Sequence, residues 1–141
     1  MADLTANFDR PYKEPAKLRS YPLGAIHVYK GDLLMVLRGT GYAVKAANTA
    51  LGQIIGVATQ EVDNSGGSAG DKNVQVIRGT QLFSKTSAAV TDIGVLATAV
   101  DSDTVATGGT KTVYVGRIVG FVGTTKVWVD LEDHGADSAA S

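Results

Sequence analysis

The chain has 141 residues, 44% of them hydrophobic and 19% charged, with a formal net charge of −1. That length supplies material for one domain, and the composition lets it bury a core unaided, which excludes an intrinsically disordered chain. The near-zero charge gives duplex DNA or an anionic membrane little to attract, and the absence of cysteine removes disulfides, thiolate nucleophiles and thiolate metal sites.

The first residues differ in kind from the rest. All three prolines, Pro11, Pro15 and Pro22, precede the first glycine, and all 17 glycines fall between Gly24 and Gly135. Proline lacks an N–H and pushes its predecessor toward extended geometry, so residues 1–23 predict an extended arm rather than a helix or a central strand. Within it Phe8, Tyr12, Leu18 and Tyr21 stand as apolar anchors among Arg10, Lys13, Glu14, Lys17 and Arg19. Such a segment suits docking along a groove or a sheet edge, the main chain giving affinity and the side chains register. No basic region followed by an apolar run opens the chain, and no apolar stretch approaches the ~18 residues of a membrane span, so the chain is expected to be made and kept in the cytosol, or in a particle assembled there.

From Gly24 onward, short β-branched runs alternate with glycine or Asx punctuation. Strands are predicted over Ile26 to Tyr29, Leu33 to Leu37, Tyr42 to Lys45, Ile54 to Ala58, Asn73 to Ile77, Gln81 to Phe83 and Val95 to Val100, followed by a terminal hairpin. The stretch Asp63 to Asp71 is polar and glycine-rich and reads as a surface loop. A weak helix is predicted over Lys85 to Thr91. Residues 24–131 therefore predict an all-β domain, a small β-barrel or jelly-roll-like body, and residues 132–141 an acidic flexible tail. The motif Gly-x-Ile-Ile/Val-Gly occurs at Gly52 and again at Gly116, which suggests two related half-barrels.

In the terminal hairpin, Gly123-Thr124 suits a two-residue turn that sets Phe121 opposite Lys126, Val119 opposite Trp128 and Arg117 opposite Asp130. One face then carries Ile118, Val127, Val129 and Leu131 as core. The other carries Val113, Val115, Val119, Phe121 and Trp128, so the hairpin is either central in a sandwich or covered by another chain, and a covering chain is expected.

Reactive groups do not converge. His27 and His134 are far apart and lack metal-ligand spacing, Asp101-Ser-Asp103 reads as a turn, and Gly39-Thr-Gly41 leads into a strand rather than a helix. No Gly-x-Ser-x-Gly motif occurs, and aromatic residues are only 6% with no basic clustering, which speaks against catalysis and nucleic-acid binding.

The ordered run of Ser20 to Ala25, Tyr29 to Asp32, Gly41 to Val44, Ile55 to Ala58, Glu61 to Gly67, Val74 to Gly79, Asp92 to Gly94, Val100 to Thr107 and Val115 to Gly120 resembles the capsid cement or head decoration proteins of tailed bacteriophages. The resemblance spans nearly the whole chain and rests on order and spacing. It implies a small β-barrel or jelly-roll-like protein on the outer surface of the virion capsid, clamping subunits of the major capsid protein, with no catalytic residues, metal or cofactor. A homo-oligomer is expected, a homotrimer in preference to a homodimer, with no nucleic-acid or membrane partner. The expected partner-binding residues are Phe8, Pro11, Tyr12, Pro15, Leu18, Tyr21, Val119, Phe121 and Trp128. The alternative is a β-barrel ligand-binding module, for example for an oligosaccharide, which a closed pocket with converging polar groups would favour.

Overall fold

The computed structural model describes residues 3–8, 10, 18–49, 51–107 and 113–132. The all-β class is as expected. Two five-stranded antiparallel sheets are contributed by successive halves of the chain. The first half supplies β1 (Leu18–Pro22), β3 (Leu33–Leu37), β4 (Ala43–Lys45), β5 (Gly52–Ala58) and β7 (Asn73–Ile77), with a small pair β2 (His27–Val28) and β6 (Val62–Asp63) beside them. The second half supplies β8 (Thr80–Ser84), β9 (Leu96–Ala99), β10 (Val105–Thr107), β11 (Tyr114–Val122) and β12 (Lys126–Asp130).

The spatial orders, β1-β7-β5-β3-β4 and β8-β12-β11-β9-β10, are the same arrangement repeated. In each half the opening strand pairs with the closing one, and a hairpin lies on the far side of the central strand. The likeness extends to register: Leu18 pairs with Ile77 and Pro22 with Asn73, as Thr80 pairs with Asp130 and Ser84 with Lys126. In each half, too, one isolated parallel bridge, Leu23 to Ala43 and Ser84 to Thr104, brings the end of the opening strand to the start of the hairpin's second strand. Both sheets therefore curl until their edges touch.

The repeated Gly-x-Ile-Ile/Val-Gly motif lies in the two central strands and carries a β-bulge at the same motif position. Ile55 is the extra residue opposite β3, and Val119 the extra residue opposite β12. The glycine that follows allows the close approach a bulge creates; a Cβ on Gly56 would stand 2.8 Å from the Ile77 carbonyl oxygen, at a φ of +144°. The echo read from sequence as two half-barrels thus corresponds to two topologically equivalent halves.

Residues opposite one another on neighbouring strands share a face, so the cores follow from register. The interior of the second sheet is lined by Phe83, Ala97, Ala99, Val105, Val115, Ile118, Val127 and Val129, and Leu33, Met35, Ile54 and Val57 of the first sheet pack into it. The other face of the first sheet, with Leu34, Ala43, Ile55, Val74 and Val76, encloses a second core that Val28 and Val62 of the β2–β6 pair complete. Central strand β5 is buried from Ile54 through Ala58, which is why it reads as a continuous apolar run, whereas β12 alternates as a one-sided strand does.

Several sequence expectations need correction. Strands begin at Leu18, not Ile26, because the leader's last residues form the edge strand of the first sheet, and Leu23 just beyond it is fully buried. The weak helix over Lys85 to Thr91 is only a 3-10 turn at Val90–Asp92. The hairpin turn holds three residues, Gly123 to Thr125, so Val122 pairs with Lys126 and Phe121 with Val127; the bulge at Val119 then restores the expected Arg117–Asp130 pair. Two offsets of one residue cancel. Between them Phe121 is moved to the Val127 face, opposite to Trp128, and a further irregularity at Val115 turns Val113 and Val115 into the core. Ile118, Val127, Val129 and Leu131 are core residues as expected.

The backbone packing at Gly116 leaves no room for a side chain, since a Cβ there would collide with the Asp130 carbonyl group, while Gly66 has open space around it. Gly116→Ala is expected to lower the free energy of unfolding by about 3 kcal/mol or more, and Gly66→Ala by under about 1 kcal/mol, in urea melts followed by circular dichroism.

Candidate interaction surfaces

Two regions present themselves. The first is an apolar end of the second sheet. After β8 the chain crosses the hairpin tip, the Lys85 amide donating to the Thr125 carbonyl and the Ala88 amide to that of Thr124. It then returns along β11, where the Gly94 amide donates to the Ile118 carbonyl at 2.8 Å and the Ile118 amide to that of Val95 at 2.9 Å. The turn between is fixed by an ion pair from Lys85 Nζ to Asp92 Oδ2 at 3.1 Å and by the Ala89 amide donating to the same carboxylate oxygen. This crossing brings Val90, Ile93 and Val95 to the same end as Val119, Phe121 and Val122. All six are between 39% and 64% exposed, and they are most of the large apolar side chains left exposed among the described residues. Clusters of this kind mark binding surfaces more often than scattered exposed residues do.

The second is the seam between the two sheets, closed by residues 3–8 and Arg10 of the N-terminal segment. Arg10 is the pin. Its guanidinium donates from Nε and Nη2 to the Gly31 carbonyl at 3.0 and 2.7 Å, from Nη1 to the Leu82 carbonyl, and from Nη2 to Asp103 Oδ1 at 2.8 Å. It lies over the rings of Phe83 at 4.4 Å and Phe8 at 5.0 Å. The planar fork reaches acceptors in both halves of the chain at once, which an ammonium on a flexible stem would not do. Burial pulls the Arg10 guanidinium below its ordinary value, and the hydrogen bond and charge of Asp103 act against that.

Beside Arg10 the segment continues its attachments. The Phe8 amide donates to the Lys30 carbonyl at 2.6 Å, the Lys30 amide to Asn7 Oδ1, and Asn7 Nδ2 to Glu61. The Leu4 amide donates to Ser102 Oγ, the Ser102 amide to Asp3 Oδ1, and Lys45 Nζ to the Leu4 carbonyl. Beneath lies Asp32, fully buried, accepting from the Tyr29 amide and paired with Lys45 Nζ at 3.5 Å. Burial raises the Asp32 carboxyl above its usual value, the Tyr29 amide, Ser102 and Lys45 pulling the other way. On the β2–β6 pair, His27 Nε2 lies 2.7 Å from Glu61 Oε2 and its ring 4.3 Å from that of Tyr29, so His27 is a hydrogen-bond partner of Glu61 at the surface. Among the described residues no group of three or more His, Cys, Asp or Glu is placed to hold a metal ion.

The expected partner-binding residues divide. Pro11, Tyr12 and Pro15 lie outside the described residues, as does His134. Leu18 is exposed on edge strand β1, and Val119 and Phe121 are exposed at the apolar end. Tyr21 instead packs half-buried on the core of the first half, Phe8 lies over the Arg10 guanidinium, and Trp128 is half-buried across Gly120, on the face opposite to Phe121. Over its described part, the arm expected to dock on a partner is docked on its own chain. Sequence reasoning missed Val90, Ile93, Val95 and Val122 because they precede or end a strand without period, and it missed Arg10 because a lone arginine in a mixed-charge leader gives no sign of burial. The one available signal was the turn-like Asp92-Ile-Gly94 among valines.

Comparison of the chain with protein-family models, curated proteins and solved structures finds no match.

Two measurements probe the seam. Arg10→Ala is expected to cost about 3 kcal/mol of stability, and Arg10→Lys to recover less than half of that, since charge without the fork leaves the carbonyls unpaired. Because the folded chain holds the Asp32 proton to higher pH than the unfolded chain does, stability falls as pH rises through the window above the carboxyl's ordinary value of 3.8. Urea midpoints taken from about pH 3.5 to about pH 7 should therefore show a shallower fall for Asp32→Asn than for the parent chain.

Proposed function

We propose that this chain is a non-enzymatic structural protein that binds the outer surface of a phage capsid and stabilises it by bridging subunits of the major capsid protein. The observation that carries the reading is the gathering of Val90, Ile93, Val95, Val119, Phe121 and Val122 at one end of the second sheet, on a turn pinned by Lys85 and Asp92. Apolar residues on a backbone held this firmly lose little entropy on docking and contribute by burial. The exposed Leu18 on edge strand β1 offers a second contact on the other sheet, which suits one copy touching two neighbours. Modest contacts repeated over a lattice then resist rupture together.

The ligand-module alternative finds less support. The groove lined by Phe8, Arg10, Val57, Ile77 and Gln81 has a volume of about 230 Å³, and its arginine is already committed to chain carbonyls and Asp103. Sites for small molecules run to roughly 300–1,000 Å³ and are largely enclosed, whereas the grooves of that size here, about 440 Å³ at Asp63, Gly67 and Asp71 and about 360 Å³ at Lys85, Val100 and Val105, lie open to solvent.

Expanded phage heads lacking their decoration protein provide the test, with bound protein measured by co-sedimentation and head integrity by resistance to heat. The parent chain should bind and raise that resistance. Ile93→Ser/Phe121→Ser should lose at least tenfold in affinity with little change in its own melting, and moderate salt should change binding only weakly. Equal binding by the double variant, or no binding by the parent chain to any head tested, would overturn the reading.

A further inference from the structure

We infer that the apolar end of the second sheet receives an extended segment of the capsid subunit it docks on, laid where the first half carries its own strand β6. The inference rests on the reading of that end as a capsid contact and names what is contacted. Its ground is the equivalence of the two halves, which holds residue by residue. Leu33 pairs with Val57 and Leu34 with Gly56, as Leu96 pairs with Arg117 and Ala97 with Gly116. On the N-terminal side of each glycine the central strand holds one extra residue, Ile55 in the first half and Val115 in the second, and both are buried. Register therefore fixes which segments correspond.

Residues 23–32 join β1 to β3, and residues 85–95 join β8 to β9. Each connection holds a left-handed glycine just ahead of its second strand, Gly31 at a φ of +97° and Gly94 at +93°. Strand β2 begins as far ahead of Gly31 as the 3-10 turn Val90–Asp92 begins ahead of Gly94, so the two stand in the same place. In the first half β2 is completed by β6, His27 pairing with Asp63 and Val28 with Val62, and both valines are buried. Residues 59–72 are long enough to supply that strand. The second half joins its central and closing strands through residues 123–125 alone, and so has no counterpart of β6. Phe121 shows the consequence: it shares a face with Val127, which is fully buried, yet is itself 40% exposed.

The occupant follows from what fills the equivalent place. Strand β6 is extended and its Val62 turns into the core of the first half. A partner segment with apolar residues at alternate positions covers Val90, Ile93 and Phe121 in the same manner. Side chains hold it more than main chain does, because the Asp92 and Ile93 amides are already spent on the Ala89 and Val90 carbonyls within the turn.

A displayed library of random peptides, selected on the immobilised free chain, tests this without a capsid. Selected peptides are expected to carry apolar residues at alternate positions, and their synthetic copies to bind Ile93→Ser/Phe121→Ser at least tenfold more weakly than the parent chain. Val90→Ser, at the most exposed of these positions and so the least able to disturb folding, should weaken binding at least threefold. The tightest peptide should also displace the parent chain from phage heads. Selection of no peptide, of peptides with apolar residues three and four apart as on a helix, or of peptides that bind the serine variants equally would overturn the inference. So would a parent chain that binds heads and is not displaced by the peptide, an outcome that leaves the capsid reading standing. A parent chain that binds no head would overturn the capsid reading, and with it the capsid as source of the segment, whereas selection on the free chain decides the extended form by itself.

Discussion

A sheet that curls until its first and third strands touch encloses an apolar space, and that space must be filled by something other than water. Much of this fold is an answer to that requirement, given twice. The second sheet takes Leu33, Met35, Ile54 and Val57 from the outer side of the first. The first takes Val28 and Val62 from the strand pair that its longer connections carry. The bulges at Ile55 and Val119 belong to the same requirement, since an inserted residue on a central strand sharpens the local twist that curling needs.

The buried charges at the seam serve a different end. Removing Arg10 and Asp32 from water costs free energy that their partners only partly offset, so their presence is poorly explained by stability alone. What they provide is discrimination. Two apolar surfaces slide against each other at small cost, whereas a guanidinium bonded to Gly31 on one side and to Leu82 and Asp103 on the other permits one alignment. The relative placement of the halves is thus written in polar groups, and the pressure that holds them together in apolar ones.

Periodicity made most strands legible, because β7 and β12 alternate and β5 is an apolar run opened by Gly52 and interrupted by Gly56. Even the duplication left a trace, in two glycine-flanked motifs that bulge at the same motif position in the two central strands. Faces were harder. The side-chain period of a strand is two, so a turn one residue longer than expected and a bulge each reverse the face of what lies between them, and this is what separated Phe121 from Trp128. The leader was misread for a related reason: Leu18–Pro22 is an edge strand ending in proline, which a rule built on interior strands excludes. Of the candidate surface, Val119 and Phe121 could be found from the hairpin. Val90, Ile93 and Val95 could not, since only the crossing of the hairpin tip brings them there.

The β2–β6 pair has a meaning beyond filling. The outer side of the first sheet fits the hollow of the second, and the two hollows are built alike. A first half with its hollow open would expose Leu34, Ile55, Val74 and Val76 as an apolar patch. By occupying the hollow with its own Val28 and Val62, the chain keeps that patch out of reach of its neighbours.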